Sequence, residues 1–141
     1  MNRRKNPSYD FKIIIKSDTI MENGRLVVSV RNRITNEPIA FSSVSVYLLS
    51  IIGLYGEFGE ANLITRYITD EEGKIPVISL PAIERSSVLQ YYMTVNHFRY
   101  HPVNLMNIQI YPNVTTEYKV LLTPLTTVSP DYTFIITPEF F

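Results

Sequence analysis

The chain has 141 residues, which is the size of one compact domain with short extensions. Its 13 Lys and Arg residues balance 13 Asp and Glu residues, which argues against nucleic acid as a partner because phosphate contacts require clustered positive charge. The absence of cysteine excludes disulfide bonds and thiolate metal ligands. Near the start the only apolar run is residues 13–15, so we expect a chain made without a secretion signal and with no membrane span.

Residues 1–23 form an N-terminal arm with one strand-like pattern. Apolar side chains occupy alternate positions in it, next to lysines; the apolar set is Tyr9, Phe11, Ile13 and Ile15. A dozen extended residues span roughly 40 Å at ~3.3 Å per residue. The arm can therefore act as a donor strand on a neighbouring domain. It can equally add an edge strand to its own domain, and the sequence supports the two alternatives about evenly.

Residues 24–125 contain short runs, rich in β-branched and aromatic residues, that alternate with a period of two. The clearest runs are residues 25–34, 43–48, 91–95, 108–110 and 120–122. Turn residues separate these runs at intervals of ten or so, which is typical of a β-sandwich. No segment has sustained helical spacing with caps, so we expect at most one helical turn, between residues 51 and 61.

The glycine-spaced segment from Ile51 to Gly59 interrupts this pattern. Glycines at every third position could cradle a phosphate, but the segment does not follow a strand and open a helix, as phosphate loops do. We interpret it as a contact loop with Tyr55 and Phe58 at its tip.

The stretch from Thr69 to Gly73 has the composition of a tight turn. Asp70 is expected to accept backbone hydrogen bonds, while Gly73 takes a positive φ. We predict a hairpin at this point. Three clustered carboxylates could also bind Ca²⁺, but the alternating ligands of such sites are absent.

Residue types with catalytic potential are scarce. His97 and His101 are the only histidines, and neither a cysteine nor a Gly-x-Ser-x-Gly elbow supplies a nucleophile. A paired-histidine metal site is the less favoured interpretation. We expect one histidine ring to pack beside Tyr100 and the other to face solvent, with no catalytic residue, no cofactor and no metal site.

Residues 126–141 form a C-terminal tail that is aromatic and β-prone to its last residue. We predict that its apolar side chains are buried in an assembly contact, because an exposed apolar edge promotes aggregation; they are Phe134, Ile136, Phe140 and Phe141. Residues 1–16 carry five basic residues against one acidic residue, a net charge of +4. The tail carries two acidic residues and no basic one, a net charge of −2, so the two ends favour head-to-tail contacts.

The order of motifs in residues 24–125 resembles the carboxypeptidase regulatory-like domain, a transthyretin-like seven-stranded sandwich. The matching stretches are residues 35–40, 44–46, 69–74, 80–81 and 91–124. The segment Tyr-Pro-Asn-Val-Thr-Thr looks closest to versions in clostridial spore and peptidoglycan-associated proteins. The family's Gly-Tyr is Arg99-Tyr100 here, and its Pro-Gly is Pro112-Asn113; Asn tolerates the left-handed conformation better than most residues.

The resemblance implies an all-β fold: a single transthyretin-like seven-stranded β-sandwich, to which this chain adds N-terminal and C-terminal strand extensions. Because such domains are usually non-catalytic, we expect a structural subunit that assembles with copies of itself by strand addition. The expected setting is a bacterial spore surface, cell surface or other extracellular fibre. The alternative is a module that binds cell-wall glycan or peptidoglycan through exposed tyrosines such as Tyr55, Tyr91 and Tyr111. A phage tail or fibre component, located in the virion, is a third interpretation, and an enzyme is the least favoured.

Overall fold

The alternating runs form strands in a computed structural model that describes residues 22–52, 58–83, 88–126 and 134–136. Within these ranges the chain is all-β and contains no helix. The strands are β1 (Asn23–Asn32), β2 (Ser43–Ile52), β3 (Phe58–Ile68), β4 (Ile78–Pro81), β5 (Leu89–Asn96), β6 (Val103–Ile108), β7 (Thr115–Leu122) and β8 (Phe134–Ile136). The predicted all-β sandwich is confirmed, and β1 to β7 account for its seven strands.

Two sheets form the layers of the sandwich. The smaller sheet has the order β4-β1-β7, and the larger has the order β3-β2-β5-β6-β8. In the smaller sheet β1 pairs in parallel with β7, with a register from Arg25 opposite Thr115 to Asn32 opposite Leu122. Strands from the two ends of the domain are therefore neighbours.

The core consists of the alternate strand residues whose side chains face the space between the two sheets. Its fully buried aliphatic side chains include Leu26, Val28, Val30, Val44, Val46, Leu48, Val95 and Leu122. Full burial of one such side chain stabilises the fold by about 1.5–3 kcal/mol. The hydroxyl of Tyr91 in β5 donates a hydrogen bond to the carbonyl of Pro81 in β4 over 2.6 Å, so a polar contact also joins the two sheets.

Two strands differ from the sequence-based expectation. The expectation of at most one helical turn between residues 51 and 61 agrees with the described part of that stretch, where Ile51 and Ile52 continue β2 and Phe58 begins β3 opposite Ile52. β3 was missed because it is an edge strand whose polar residues break the alternation. β4 was missed because it is four residues long and ends at Pro81.

The turn after β3 has the predicted chemistry but a different role. Asp70 Oδ1 accepts hydrogen bonds from the backbone N–H groups of Glu72, at 2.9 Å, and Lys74, at 3.0 Å. Gly73 has a φ of 74°. The prediction of a hairpin is wrong, because β3 and β4 lie in different sheets and the turn opens a crossover between them. A hairpin within one sheet and a crossover between two sheets can use the same turn residues, so the local sequence does not distinguish them.

The C-terminal strand β8 extends the larger sheet beyond β6. It pairs in parallel with β6, with Phe134 opposite Asn104 and Ile136 opposite Met106. Two of the predicted tail residues therefore lie in this strand, while Phe140 and Phe141 lie outside the described residues. The predicted arm residues, Tyr9, Phe11, Ile13 and Ile15, and the loop residue Tyr55 also lie outside them.

Candidate functional site

Five of the large apolar side chains that are exposed in the described residues belong to one end of the sandwich. We call this set the apolar end; it comprises Ile34, Phe41, Ile68, Phe98 and Leu125, which are 51% to 81% exposed. The strand register brings them together: β2 begins at Ser43, which lies opposite the last residues of both β3 and β5. The five side chains lie in or beside the loops that meet at this point.

Hydrogen bonds tie these loops to one another. Phe41 N–H donates to the carbonyl of Thr69 at 3.0 Å, which places Phe41 next to Ile68. Leu125 N–H donates to the carbonyl of Arg99 at 3.0 Å, which places Leu125 next to Phe98. Hydrogen bonds between loops therefore fix the backbone at Phe41 and at Leu125 within the apolar end.

The backbone of Phe41 is strained. Its φ of 67° lies in the left-handed region, which costs roughly 1–2 kcal/mol for a residue with a Cβ atom. A clamp of hydrogen bonds holds the conformation: Ser42 N–H donates to Thr69 Oγ1, and that hydroxyl donates to the carbonyl of Ile39. Strain of this kind commonly marks functional positions.

His97 connects the Phe98 corner to the Phe41 loop. Its Nδ1 accepts a hydrogen bond from Arg99 N–H at 3.1 Å, and its ring also bonds to the backbone of Ala40. Burial lowers the pKa of His97, and the charge of Arg99 lowers that pKa further against the opposing effect of the Ala40 bond. The neutral imidazole suits its role, because only an unprotonated Nδ1 can accept from Arg99.

Aromatic contacts complete this corner. The His97 ring stacks on Phe98 with centroids 4.9 Å apart and meets the edge of Tyr100 at 5.0 Å. The guanidinium carbon of Arg99 lies 5.9 Å from the centroid of Phe98, within the range of a cation–π contact. The prediction that one histidine packs beside Tyr100 is confirmed.

His101 does not face solvent as predicted. Its Nε2 atom is buried and has no hydrogen-bond partner in the described structure. Over the described ranges, no group of three His, Cys, Asp or Glu side chains lies close enough to hold a metal ion.

Charged groups border the apolar end on two sides. The exposed carboxylates of Asp70, Glu71 and Glu72 begin two residues after Ile68. On the other side, Arg31 donates to the carbonyl of Asn36 and Arg33 donates to Thr123 Oγ1. These two guanidinium groups therefore have partners within the domain.

The expected tyrosine surface has a different arrangement. Tyr91 is 1% exposed and lies in the core, so its predicted exposure is wrong. The alternation in its strand does not show which set of side chains faces the core. Tyr111 is 37% exposed. Phe58, expected at a loop tip, is instead the first residue of β3.

The outer edge of the larger sheet is formed by β3, which ends at the apolar end. Its register with β2 passes from Thr65 opposite Val46 to Leu63 opposite Tyr47. Ile64 is the extra residue of the resulting β-bulge. Bulges on edge strands increase the local twist and restrict pairing with other chains.

Sequence reasoning missed the apolar end. It concentrated on the chain termini and on the Gly-spaced loop, because strand alternation offers no information about residues in connecting loops. The available signal was the presence of Phe41 and Phe98 in segments rich in turn residues, where large apolar side chains are uncommon.

Comparisons with known proteins concern the fold. No protein-family model matches the chain, and no curated protein matches it by sequence. Among solved structures, 3-chlorocatechol 1,2-dioxygenase from Rhodococcus opacus is similar with a TM-score of 0.51 and 12% identity, over 79% of this chain and 63% of that one. At this identity the likeness shows a shared fold alone.

A 9R-lipoxygenase from Cyanothece is also similar, with a TM-score of 0.38 and 13% identity, over 82% of this chain and 19% of that one. The chain spans less than two thirds of the length of either structure. In the ranges that the structure describes, no helix is long and apolar enough to cross a membrane.

Proposed function

We propose that the protein is a non-catalytic structural subunit that assembles with copies of itself by strand addition. The observation that carries this proposal is the apolar end. Single exposed apolar side chains are normal on protein surfaces, but a contiguous exposed group marks an interaction site. Here five such side chains lie in or beside loops that backbone hydrogen bonds join in pairs, and the backbone of one of them, Phe41, is strained.

The sheet edges support assembly through main-chain hydrogen bonds. β3 has eleven residues and forms the outer strand of the larger sheet, which gives a length of roughly 36 Å at ~3.3 Å per residue. An added strand gains affinity from backbone bonds and specificity from side-chain pockets. The bulge at Ile64 divides this edge, so the segment Thr65–Ile68 beside the apolar end is the part best suited to pairing.

The proposed setting is a bacterial spore surface, cell surface or other extracellular fibre, in line with the motif resemblance. A phage tail or fibre component would use the same assembly surface. The glycan-binding alternative has less support, because burial removes Tyr91 from the set of tyrosines available to a sugar ring.

Deletion of residues 1–20 tests the proposal. The truncated chain should keep the sandwich, whose described strands begin at Asn23, and should lose the donor strand. We expect the full chain to form large particles and the truncated chain to remain a monomer in light scattering. Circular dichroism checks that both chains are folded, and negative-stain microscopy distinguishes filaments from rings. A folded truncated chain that forms the same oligomer would contradict strand donation by the arm.

A further inference from the structure

The N-terminal arm joins the domain far from the apolar end. Glu22 is fixed at the start of β1, where its carbonyl accepts a hydrogen bond from Ala82 N–H and its side chain accepts one from Asn113 Nδ2. From that point the ten residues of β1 run to Asn32, beside the apolar end. At ~3.3 Å per residue this separates the two features by roughly 30 Å.

The arm is long enough to reach another copy. Twenty-one residues precede Glu22, and an extended chain of that length spans at most about 70 Å. An arm that leaves one end of a sandwich can therefore reach the opposite end of a copy stacked in line with it. A contact between two different surfaces repeats from copy to copy, and it produces a ring if the rotation closes and a filament if it does not.

The chemistry of the arm matches that of the apolar end. In an extended conformation, the spacing of Phe11, Ile13 and Ile15 would put them on one face, and the receiving surface offers exposed aromatic and aliphatic side chains. Residues 1–16 carry a net charge of +4, while three exposed carboxylates, at residues 70–72, begin two residues after Ile68. Complementary charge of this kind fixes the register and partner of an apolar contact.

We infer that the apolar end of one copy receives the N-terminal arm of the next copy. This assignment rests on the proposed self-assembly and names its two surfaces. Phe11, Ile13 and Ile15 cover Phe41, Ile68 and Phe98, and the basic residues of the arm lie beside the acidic turn. The contact buries the aromatic side chain that the strained Phe41 backbone presents to solvent.

Cross-linking between two differently tagged chains tests this contact. Because the natural sequence has no cysteine, a single introduced cysteine is the only reactive thiol of each chain. One full-length chain carries Ile14→Cys, which leaves the apolar face of the arm intact. The other carries Asn96→Cys, an exposed position at the end of β5 beside His97.

The matched control replaces Asn96→Cys by Ser79→Cys, an exposed position in β4 on the far side of the domain. With a short bismaleimide, we expect a mixed dimer from Ile14→Cys and Asn96→Cys, in a yield several-fold above that of the control pair. Adding Phe98→Ser to the Asn96→Cys chain should reduce that yield to the control level, while circular dichroism confirms the fold. Higher salt should also reduce the yield because it screens the charges.

Three outcomes would overturn the inference. Equal yields at Asn96 and Ser79 would show contact without selectivity. Dimers joined through Asn96→Cys of both chains would show that two apolar ends meet. Cross-linking only within one chain that carries both Ile14→Cys and Asn96→Cys would show that the arm covers its own domain. Light scattering tests self-assembly independently of the cross-link. If the chain assembles without the mixed cross-link, self-assembly stands and the surface assignment fails; if it stays monomeric, both fail.

Discussion

At the scale of single residues, Phe41 combines two unfavourable properties. Its left-handed backbone is strained, and its aromatic side chain is 74% exposed, so burial within the domain does not offset the strain. Thr69 supplies the hydrogen bonds that keep the conformation. A surface residue held in this way is better explained by a contact outside the domain than by the stability of the fold.

Phe41→Gly should therefore stabilise the monomer while weakening assembly. Glycine adopts a positive φ without steric cost, and after its greater unfolded-state entropy is subtracted we expect the free energy of unfolding to rise by roughly 0.5–1 kcal/mol. Phe41→Ala is the control: it removes the ring but keeps the strained Cβ. Urea denaturation under monomeric conditions measures both, and an equal gain in the two variants would contradict the role of the backbone.

Tyr91 is the opposite case to Phe41, because its polar hydroxyl is buried in the core. Tyr91→Phe removes the hydrogen bond to Pro81 and leaves that carbonyl without this donor, which should lower the free energy of unfolding by about 1–2 kcal/mol. Tyr92→Phe is the matched control, because its hydroxyl bonds to Asn104 at a half-buried site. A loss from Tyr92→Phe as large as that from Tyr91→Phe would show that burial does not decide the effect.

The same hydroxyl gives stability a dependence on pH. Burial raises the pKa of Tyr91 far above its ordinary value near 10, so the unfolded chain deprotonates this group at a pH where the folded chain does not. Its contribution is fully present below about pH 10 and is lost as the pH rises further. Above pH 10 the free energy of unfolding, measured from denaturation curves, should therefore fall less steeply with pH for Tyr91→Phe than for the natural chain, by up to ~1.4 kcal/mol per pH unit.

At the scale of elements, the crossover from β3 to β4 depends on Gly73. Its carbonyl accepts the N–H of Val30 at 2.8 Å, and an added Cβ atom would overlap the carbonyl oxygen of Val30. Gly73→Ala should thus cost about 2 kcal/mol or more, from backbone strain and this overlap.

Gly59→Ala provides the control for that substitution. A Cβ atom at Gly59 would make ordinary contact with Leu49 Cδ1 at 3.5 Å, so we expect a change within ~0.5 kcal/mol. Thermal or urea unfolding of the two variants measures the difference. Similar losses at both positions would mean that any glycine substitution in β3 or its turn is harmful, irrespective of φ.

Local sequence signals predicted local structure well in this chain. The alternation around Val28 and Val46 marked β1 and β2, and the chemistry of Asp70 and Gly73 marked the turn. Sequence could not show that this turn joins two sheets, because the relevant partners, Val30 and Ile39, are far away in the chain. Edge strand β3 was missed for a related reason: its outer positions are polar, and the bulge at Ile64 breaks the period.

At the scale of the whole molecule, the apolar end depends on long-range pairing. Phe41, Ile68 and Phe98 are far apart in sequence and lie at the same end of the sandwich because β2 pairs with both β3 and β5. In the sequence each of them is an isolated apolar residue, in a loop for Phe41 and Phe98 and at the end of a strand for Ile68. The sandwich class was therefore predictable from periodicity, whereas the candidate surface required the register of the strands.

The parallel pairing of β1 with β7 also sets the order in which the protein can form during synthesis. Arg25 and Thr115, which bond through their side chains, are 90 residues apart, so the smaller sheet cannot close until almost the whole domain has left the ribosome. Contacts between such distant residues slow folding because a long loop must close before they form. Until β7 is made, the edge of β1 that will pair with it has no partner in this sheet, and contact between neighbouring chains on one messenger would compete with folding during that period.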